Sequence, residues 1–221
     1  MNVKDALLSR RSCRAFKPDP IDRETILEVL EAATRAPSWA NTQPWEIYVA
    51  GGRSLDRLRQ AYLAEYLKEV KRHPDIAPPQ AWPAPHKQRI DELMKARRES
   101  MARHGASADA IDRMGESNIR FFDAPIVLYL CMDRTLTPWG MFDLGALAQS
   151  IMLAAEERGL GSIPAVMLAA FPEHVRAELE IPDSLAIVIG IALGHGLPES
   201  PLNKFRSTRR PIEEVVTFRG V

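Results

Sequence analysis

An α+β domain built on a buried sheet is what this sequence predicts, and three observations predict it. Apolar runs at 46–50, 126–132 and 185–193 are short and bounded by Gly or Pro, as buried strands are. Between them lie longer segments whose apolar residues recur every three or four positions, the spacing of helices packed on one face. At 221 residues the chain is long enough to bury a core by itself, so a single domain over 1–221 is expected.

Composition bounds the function before any motif is read. With 46% hydrophobic and 26% charged residues the chain is globular rather than disordered. Lys plus Arg and Asp plus Glu each total 29, so the net charge is zero and neither nucleic acid nor an anionic membrane is an expected partner. A balanced total still leaves room for a local cationic pocket. Two cysteines, Cys13 and Cys131, lack disulfide or metal-site spacing, and no apolar run approaches a membrane span. Reduced thiols in the cytoplasm are the expectation.

In chain order, residues 2–9 read as a short amphipathic helix with Val3, Ala6, Leu7 and Leu8 on one side. It runs into Arg10-Arg11-Ser12-Cys13-Arg14, where converging guanidinium groups and a hydroxyl suit a phosphate; a solvated helix end is the alternative. Asp22 is placed to cap a helix through Ile26, Val29, Leu30 and Ala33. That helix delivers the chain to Pro37-Ser38-Trp39-Ala40-Asn41-Thr42-Gln43-Pro44-Trp45. Two prolines make this loop rigid, two tryptophans give it flat faces, and the Asn41 and Gln43 amides suit the edge of a heteroaromatic ring. An ordinary helix-to-strand connection is the alternative.

Residues 54–120 turn charged and helical around a Pro-rich corner near Trp82, a helical excursion over one face of the core. The run at 126–132 is apolar at every position and reads as central. A helix over 139–157, rich in small residues, stops at Gly159-Leu160-Gly161; residues 162–167 run out extended, a helix follows over 171–179, and 185–193 is the next strand. Basic Lys204, Arg206, Arg209 and Arg210 precede a short apolar run at 215–218 with no neighbour to pair with, so pairing in a second subunit is expected. The chain has no G-x-G-x-x-G, no P-loop, no nucleophile elbow and no histidines at metal spacing. If the protein is an enzyme, a cofactor is expected to carry the chemistry.

The segments Arg10 to Phe16, Pro37 to Trp45, Gly159-Leu160-Gly161-Ser162 and Asn203-Lys204-Phe205-Arg206, in this order and at these intervals, resemble the FMN-dependent nitroreductase family over nearly the whole chain. The resemblance implies an α+β fold: a central, mostly antiparallel sheet flanked by helices, in an intertwined homodimer whose tail adds a strand to the partner's sheet. Residues 54–120 would then form a lid and 198–221 an arm. It implies FMN at each of two interface sites, held by Arg10, Arg11, Ser12, Arg14, Lys204 and Arg206 from one chain, with Arg209 as a substitute for Arg206. Pro37, Ser38, Trp39 and Asn41 would approach from the partner, with Gln43 either meeting the flavin or bracing the loop. Ile163, Pro164 and Ala165 would pass beside the ring, where better-known members carry an acidic residue and a glycine after the matching proline. The chemistry implied is ping-pong: NAD(P)H reduces the flavin at N5, leaves, and a nitroaromatic, quinone or other electron-poor small molecule is reduced in the same place. Reductive dehalogenation, enone reduction or dehydrogenation, flavin fragmentation, or flavin binding without turnover are the alternatives. Trp39, Tyr62, Tyr66, Trp82, Phe121 and Phe122 are the candidates for the acceptor pocket and lid, with Trp39 narrowing the slot.

Overall fold

A four-stranded sheet of order β1-β2-β4-β3, antiparallel at every pairing, organises the chain in a computed structural model that describes residues 1–136 and 138–220. Its strands are β1 (Glu46–Gly51), β2 (Ile126–Asp133), β3 (Gly161–Ala165) and β4 (Leu185–Gly194). Strand β2 is buried at every residue but Asp133, as a central strand covered on both faces must be. Alternation then divides its side chains: Val127, Tyr129 and Cys131 enter one core, while Ile126, Leu128, Leu130 and Met132 enter the other. The continuous apolar run read from the sequence is therefore two interleaved faces.

Helices α2 (Arg23–Ala33) and α6 (Pro138–Glu157) cover the second face, bringing Ile26, Val29, Leu144, Leu147 and Ile151 onto it. Asp22 caps α2 as expected, accepting from the Thr25 N–H at 2.7 Å. The first face is covered by α3 (Gly52–Leu67) and α7 (Pro172–Leu179), with Leu55, Leu58 and Tyr62 of α3 aligned on its inner side. Helix α1 (Val3–Ser9) forms with only Ala6 buried, so the apolar side formed by Val3, Leu7 and Leu8 faces outward in the single chain. Helices α4 (Ala84–Arg103) and α5 (Ala108–Asp112) complete the excursion, and α4 buries only Ser100 and Met101. None of the described helices is long and apolar enough to cross a membrane.

One expectation is corrected here. Tyr62, Phe121 and Phe122 are core residues rather than a lid: each is 2% exposed or less, and the Tyr62 ring meets Phe121 edge-on at 4.7 Å. The Tyr62 hydroxyl donates to the Leu168 carbonyl at 2.6 Å, so even its polar end is spent inside. Phe121, Phe122 and Asp123 form a left-handed turn, with φ of 56°, 58° and 60°, and the Arg59 guanidinium bonds the carbonyls on either side of it, Arg120 and Ala124. By contrast Tyr66 and Trp82 remain exposed. Residues 215–218, expected to pair as a strand in a second subunit, form none within one chain; a helical turn over Ile212–Glu214 precedes them and Phe218 is 74% exposed. A lone strand has no partner for its backbone groups and does not persist alone.

The root of the excursion is pinned by one carboxylate. Asp75 accepts from Arg176 at 2.5 Å, Arg134 at 2.9 Å and the Ile187 N–H of β4 at 2.8 Å, with its side chain 9% exposed. Burial alone would raise its pKa, but these donors, Arg176 foremost, outweigh that and hold it below the ordinary carboxylate value. Because the folded pKa lies below the unfolded one, this stabilisation is complete above the unfolded carboxylate pKa of about 3.9 and fades as pH falls through the lower folded value. Asp75→Ala removes the acceptor shared by two guanidinium groups and an N–H, leaving Arg134 and Arg176 only their bonds to the Asp183 and Leu185 carbonyls, so we expect a loss of about 3 kcal/mol. Urea denaturation at pH 7 checks this; a midpoint equal to wild type would show that the network contributes nothing.

Candidate functional site

The N-terminal basic segment is laid against the sheet by backbone pairing before any side chain acts. After α1, Ser12 bridges to Ser162 of β3, and the Cys13 N–H donates to the Ser162 carbonyl at 2.9 Å. Phe16 bridges to Gly196 beyond β4, and Leu197 donates to the Ala15 carbonyl at 2.9 Å. This close approach needs glycine: a Cβ at Gly161 would stand 2.9 Å from Cys13 Cβ, and one at Gly196 would stand 3.0 Å from Cys13 Sγ. Burial pushes the Cys13 thiol pKa up, with nearby donors and arginines opposing it, so Cys13 serves as packing rather than as a nucleophile.

Asn203 then joins the two basic ends of the chain. Its Oδ1 accepts from the Arg14 N–H at 2.7 Å, and its Nδ2 donates to the carbonyls of Ala15 at 2.7 Å and Leu197 at 2.9 Å. Its own carbonyl accepts from the Arg206 guanidinium at 3.2 Å. Arg14 and Arg206 are thereby set on either side of one buried amide. Burial, and then Arg97 of α4, bring the Arg14 pKa down to about 10; burial and then Arg11 lower that of Arg206, against the pull of Glu156. Among the described residues none of Arg10, Arg11, Arg14, Lys204, Arg206 or Arg97 forms an ion pair. Partly desolvated cations without a carboxylate are the donor set of an anion site. Arg11, Glu156, Gly161 and Asn203 line a cleft of about 190 Å³ there.

Strand β3 forms the wall of this cleft. Because the Ser162 carbonyl points to Cys13, away from β4, pleat alternation turns Ile163 and Ala165 toward β4 and Pro164 and Val166 toward the open edge. Pro164 has no N–H to give, which suits an edge strand. Val166, 68% exposed, opens the helical turn over Val166–Ala169, so its N–H is the first donor free on that edge. Ile163, Pro164 and Ala165, which the resemblance places beside the flavin ring, lie on this strand, with Val166 next to them on its open edge.

The loop at 37–45 lies elsewhere. Ala40, Asn41 and Gln43 are left-handed, with φ of 46°, 59° and 46°, and the Trp39 N–H donates to the buried Asp143 carboxylate of α6 at 3.1 Å. Ser38 Oγ accepts from the Gln43 N–H at 3.0 Å, and the Gln43 amide reaches the Asn41 carbonyl at 3.4 Å, so Gln43 braces the loop. Trp39, 64% exposed, meets Trp139 edge-on at 6.4 Å. Pro37 and Asn41 are exposed beside it. Asp143 is near the start of α6 and Glu156 near its end, about 20 Å apart at a helical rise of about 1.5 Å per residue. Within one chain the basic cluster and the aromatic loop therefore stand at opposite ends of α6. Asp143 was not foreseen, although it is the one charge between Pro138 and Ala155 in an otherwise apolar helix.

Residues 7–195 match the family model described as the Nitroreductase family. The nitrobenzene nitroreductase of Ectopseudomonas oleovorans is 32% identical over 218 residues, covering 98% of this chain and 96% of the relative. The 4-nitrobenzoate reductase of Nocardioides sp. (strain LMS-CY) is 34% identical, covering 97% and 89%. Among solved structures, the FMN and NADPH-dependent nitroreductase NfnB from Sphigopyxis sp. strain HMH superposes with a TM-score of 0.92 at 32% identity, with both chains fully covered. The antiparallel sheet, the flanking helices and the basic ends joined at Asn203 are thus those of a chain that belongs to the nitroreductase family.

Proposed function

We propose that the protein is an FMN-dependent NAD(P)H oxidoreductase that reduces nitroaromatic and related electron-poor acceptors, as a cytoplasmic homodimer with a site at each end of the interface. The observation that carries this reading is the set of partly desolvated arginines around Asn203 with no carboxylate paired to them. A phosphate monoester satisfies that set, because each guanidinium can give two parallel charge-assisted bonds. The relatives' activities support the acceptor class, and the NfnB neighbour supports FMN and NADPH.

Size and separation support the dimer. The cleft of about 190 Å³ is smaller than the roughly 300 Å³ at which small-molecule sites begin, so one chain leaves the site unfinished. A second copy packed antiparallel along α6 brings the Pro37, Ser38, Trp39 and Asn41 face of one chain to the basic end of the other. Exposed Trp139 and Phe142 on α6 suit such an interface. Residues 215–218 are then free to add a strand to the partner's sheet, and the excursion, with Tyr66 and Trp82 outward, acts as the lid.

Bound in this site, FMN supplies the hydride-accepting and hydride-donating chemistry. Arg10, Arg11, Arg14, Lys204 and Arg206 would hold its phosphate with the Ser12 hydroxyl. The Val166 N–H, next after Ala165 on the edge of β3, would be a donor for the ring. Ala165 would bring no carboxylate beside it. The partner's Pro37–Asn41 face excludes water and bounds the slot, with Trp39 setting its width. In this scheme no side chain of the protein acts as acid or base.

Three outcomes test the reading. The purified protein should sediment as a dimer of its 24.7 kDa chain and absorb near roughly 450 nm. That band should be bleached anaerobically by NADPH or NADH and restored by a nitroaromatic; a colourless protein that takes up no FMN overturns the proposal. Asn203→Ala frees both basic ends and should weaken FMN binding about tenfold or more, measured by flavin fluorescence, whereas unchanged affinity would dissociate Asn203 from the site. Trp39→Ser should widen the acceptor range toward bulkier nitroaromatics, and an unchanged range with unchanged FMN affinity would refute its role in the slot.

A further inference from the structure

Helix α4 carries a cation toward the anion site from outside the segments that bear the family resemblance. The helix packs against the turn Pro201–Asn203, whose last residue is the buried amide joining the two basic ends. It rests there lightly, because Ser100 and Met101 are its only buried residues. Arg97 stands one helical turn before that pair, so the period of the helix puts it on the same inward face. Its neighbours Ala96 and Ser100 line one cleft together with Lys204 and Arg206.

What Arg97 lacks is an acceptor. Asp91 is taken by Lys87, Glu92 by the Gln88 amide and Asp112 by Arg98, each at 2.8 Å, and Glu99 is exposed. The Arg97 guanidinium is half-buried, and among the described residues its one bond is to Met94 Sδ at 3.9 Å, a weak acceptor for a charged donor. Burial lowers the Arg97 pKa, and its charge reaches Arg14, whose own pKa it helps to bring down. Two guanidinium groups this close, both partly desolvated and neither paired with a carboxylate, repel each other. A bound anion between them reverses the sign of that interaction.

We propose that Arg97 is a phosphate ligand supplied by the excursion: together with Arg14 it closes on the FMN phosphate, so that flavin binding fastens α4 over the site, an inference that rests on the oxidoreductase reading above. A phosphate monoester carries oxygens enough to accept guanidinium forks from more than one direction. With the anion in place both arginines are attracted to it, and a helix held by only two buried residues is drawn down. Without the anion the same pair pushes the helix outward. The coupling acts through the phosphate rather than through the ring, and this distinguishes it from simple packing of the excursion against a bound flavin.

The test compares FMN with riboflavin, which has the same ring and ribityl chain and no phosphate, on the full-length protein stripped of flavin and on its Arg97→Gln variant. In wild type, FMN should slow amide hydrogen exchange over residues 84–103 about fivefold or more, while riboflavin leaves it within about twofold of the flavin-free rate. In Arg97→Gln, FMN affinity measured by flavin fluorescence should fall about tenfold, the worth of one charge-assisted bond, and riboflavin affinity should stay within about twofold. FMN should no longer slow exchange over 84–103 in the variant, and unchanged exchange in β2 would verify that its core is folded. An equal loss of affinity for both flavins, or protection by FMN as strong in the variant as in wild type, would overturn the assignment. So would wild-type FMN protecting α4 no more than riboflavin does, a comparison that needs no variant. A wild type that takes up neither flavin would instead remove the oxidoreductase reading itself, and the visible spectrum shows that separately.

Discussion

The side-chain amide of Asn203 is the contact on which the functional architecture depends. It ties the backbone of Arg14 and Ala15 to the exit of β4 at Leu197, joining residues almost two hundred positions apart. A single amide does this because it offers an acceptor and two donor hydrogens in one plane. Burial makes the arrangement specific, since any chain path that broke one of these bonds would leave a buried group unpaired. What it accomplishes is electrostatic. It brings Arg14 and Arg206, which repel each other in free solution, into one partly desolvated region and holds them there until an anion offsets the repulsion.

Sheet and helix geometry then decide where the rest of the site can be. The basic segment can lie flat on β3 only because Gly161 and Gly196 leave room for Cys13, so two glycines and a buried thiol set the position of the arginines that flank it. Helix α6 acts as a spacer. Its buried Asp143 holds the Trp39 loop at one end while its last turn borders the basic cleft at the other. A straight helix cannot bring its own ends together, so the basic segment and the Trp39 loop of one chain stay apart, and only in the proposed two-fold pairing along α6 would both be joined at once.

Much of this was legible in the sequence, for identifiable reasons. Strands β2 and β4 stood out because a central strand is apolar at every position. The basic segments and the Pro37–Trp45 loop stood out because their residue types recur together in one family. Tyr62, Phe121 and Phe122 were misread because helical spacing and aromatic character show that a residue faces something apolar, and cannot tell a core from a pocket. Phe121 and Phe122 also adopt left-handed backbone that no local pattern announces, held by Arg59 from a distant helix. Residues 215–218 read as a strand in want of a partner, and within one chain they have no sheet edge beside them and form none. Asp143 was overlooked because it acts on the backbone, accepting an N–H from a loop more than a hundred residues away.

The zero net charge finally takes on a physical meaning. Equal numbers of acidic and basic residues would give a featureless field if they were interspersed, and over much of the surface they are, as pairs such as Arg57 with Glu178 and Arg113 with Asp109. Such exposed pairs contribute little to stability. They do, however, consume carboxylates, and the cations around Asn203 and along the inner face of α4 are left without them. Over distances longer than a Debye length of about 8 Å the molecule is neutral to its surroundings, while inside the clefts low dielectric keeps the positive potential strong. A region built this way concentrates positive potential inside the clefts rather than spreading it over the exterior.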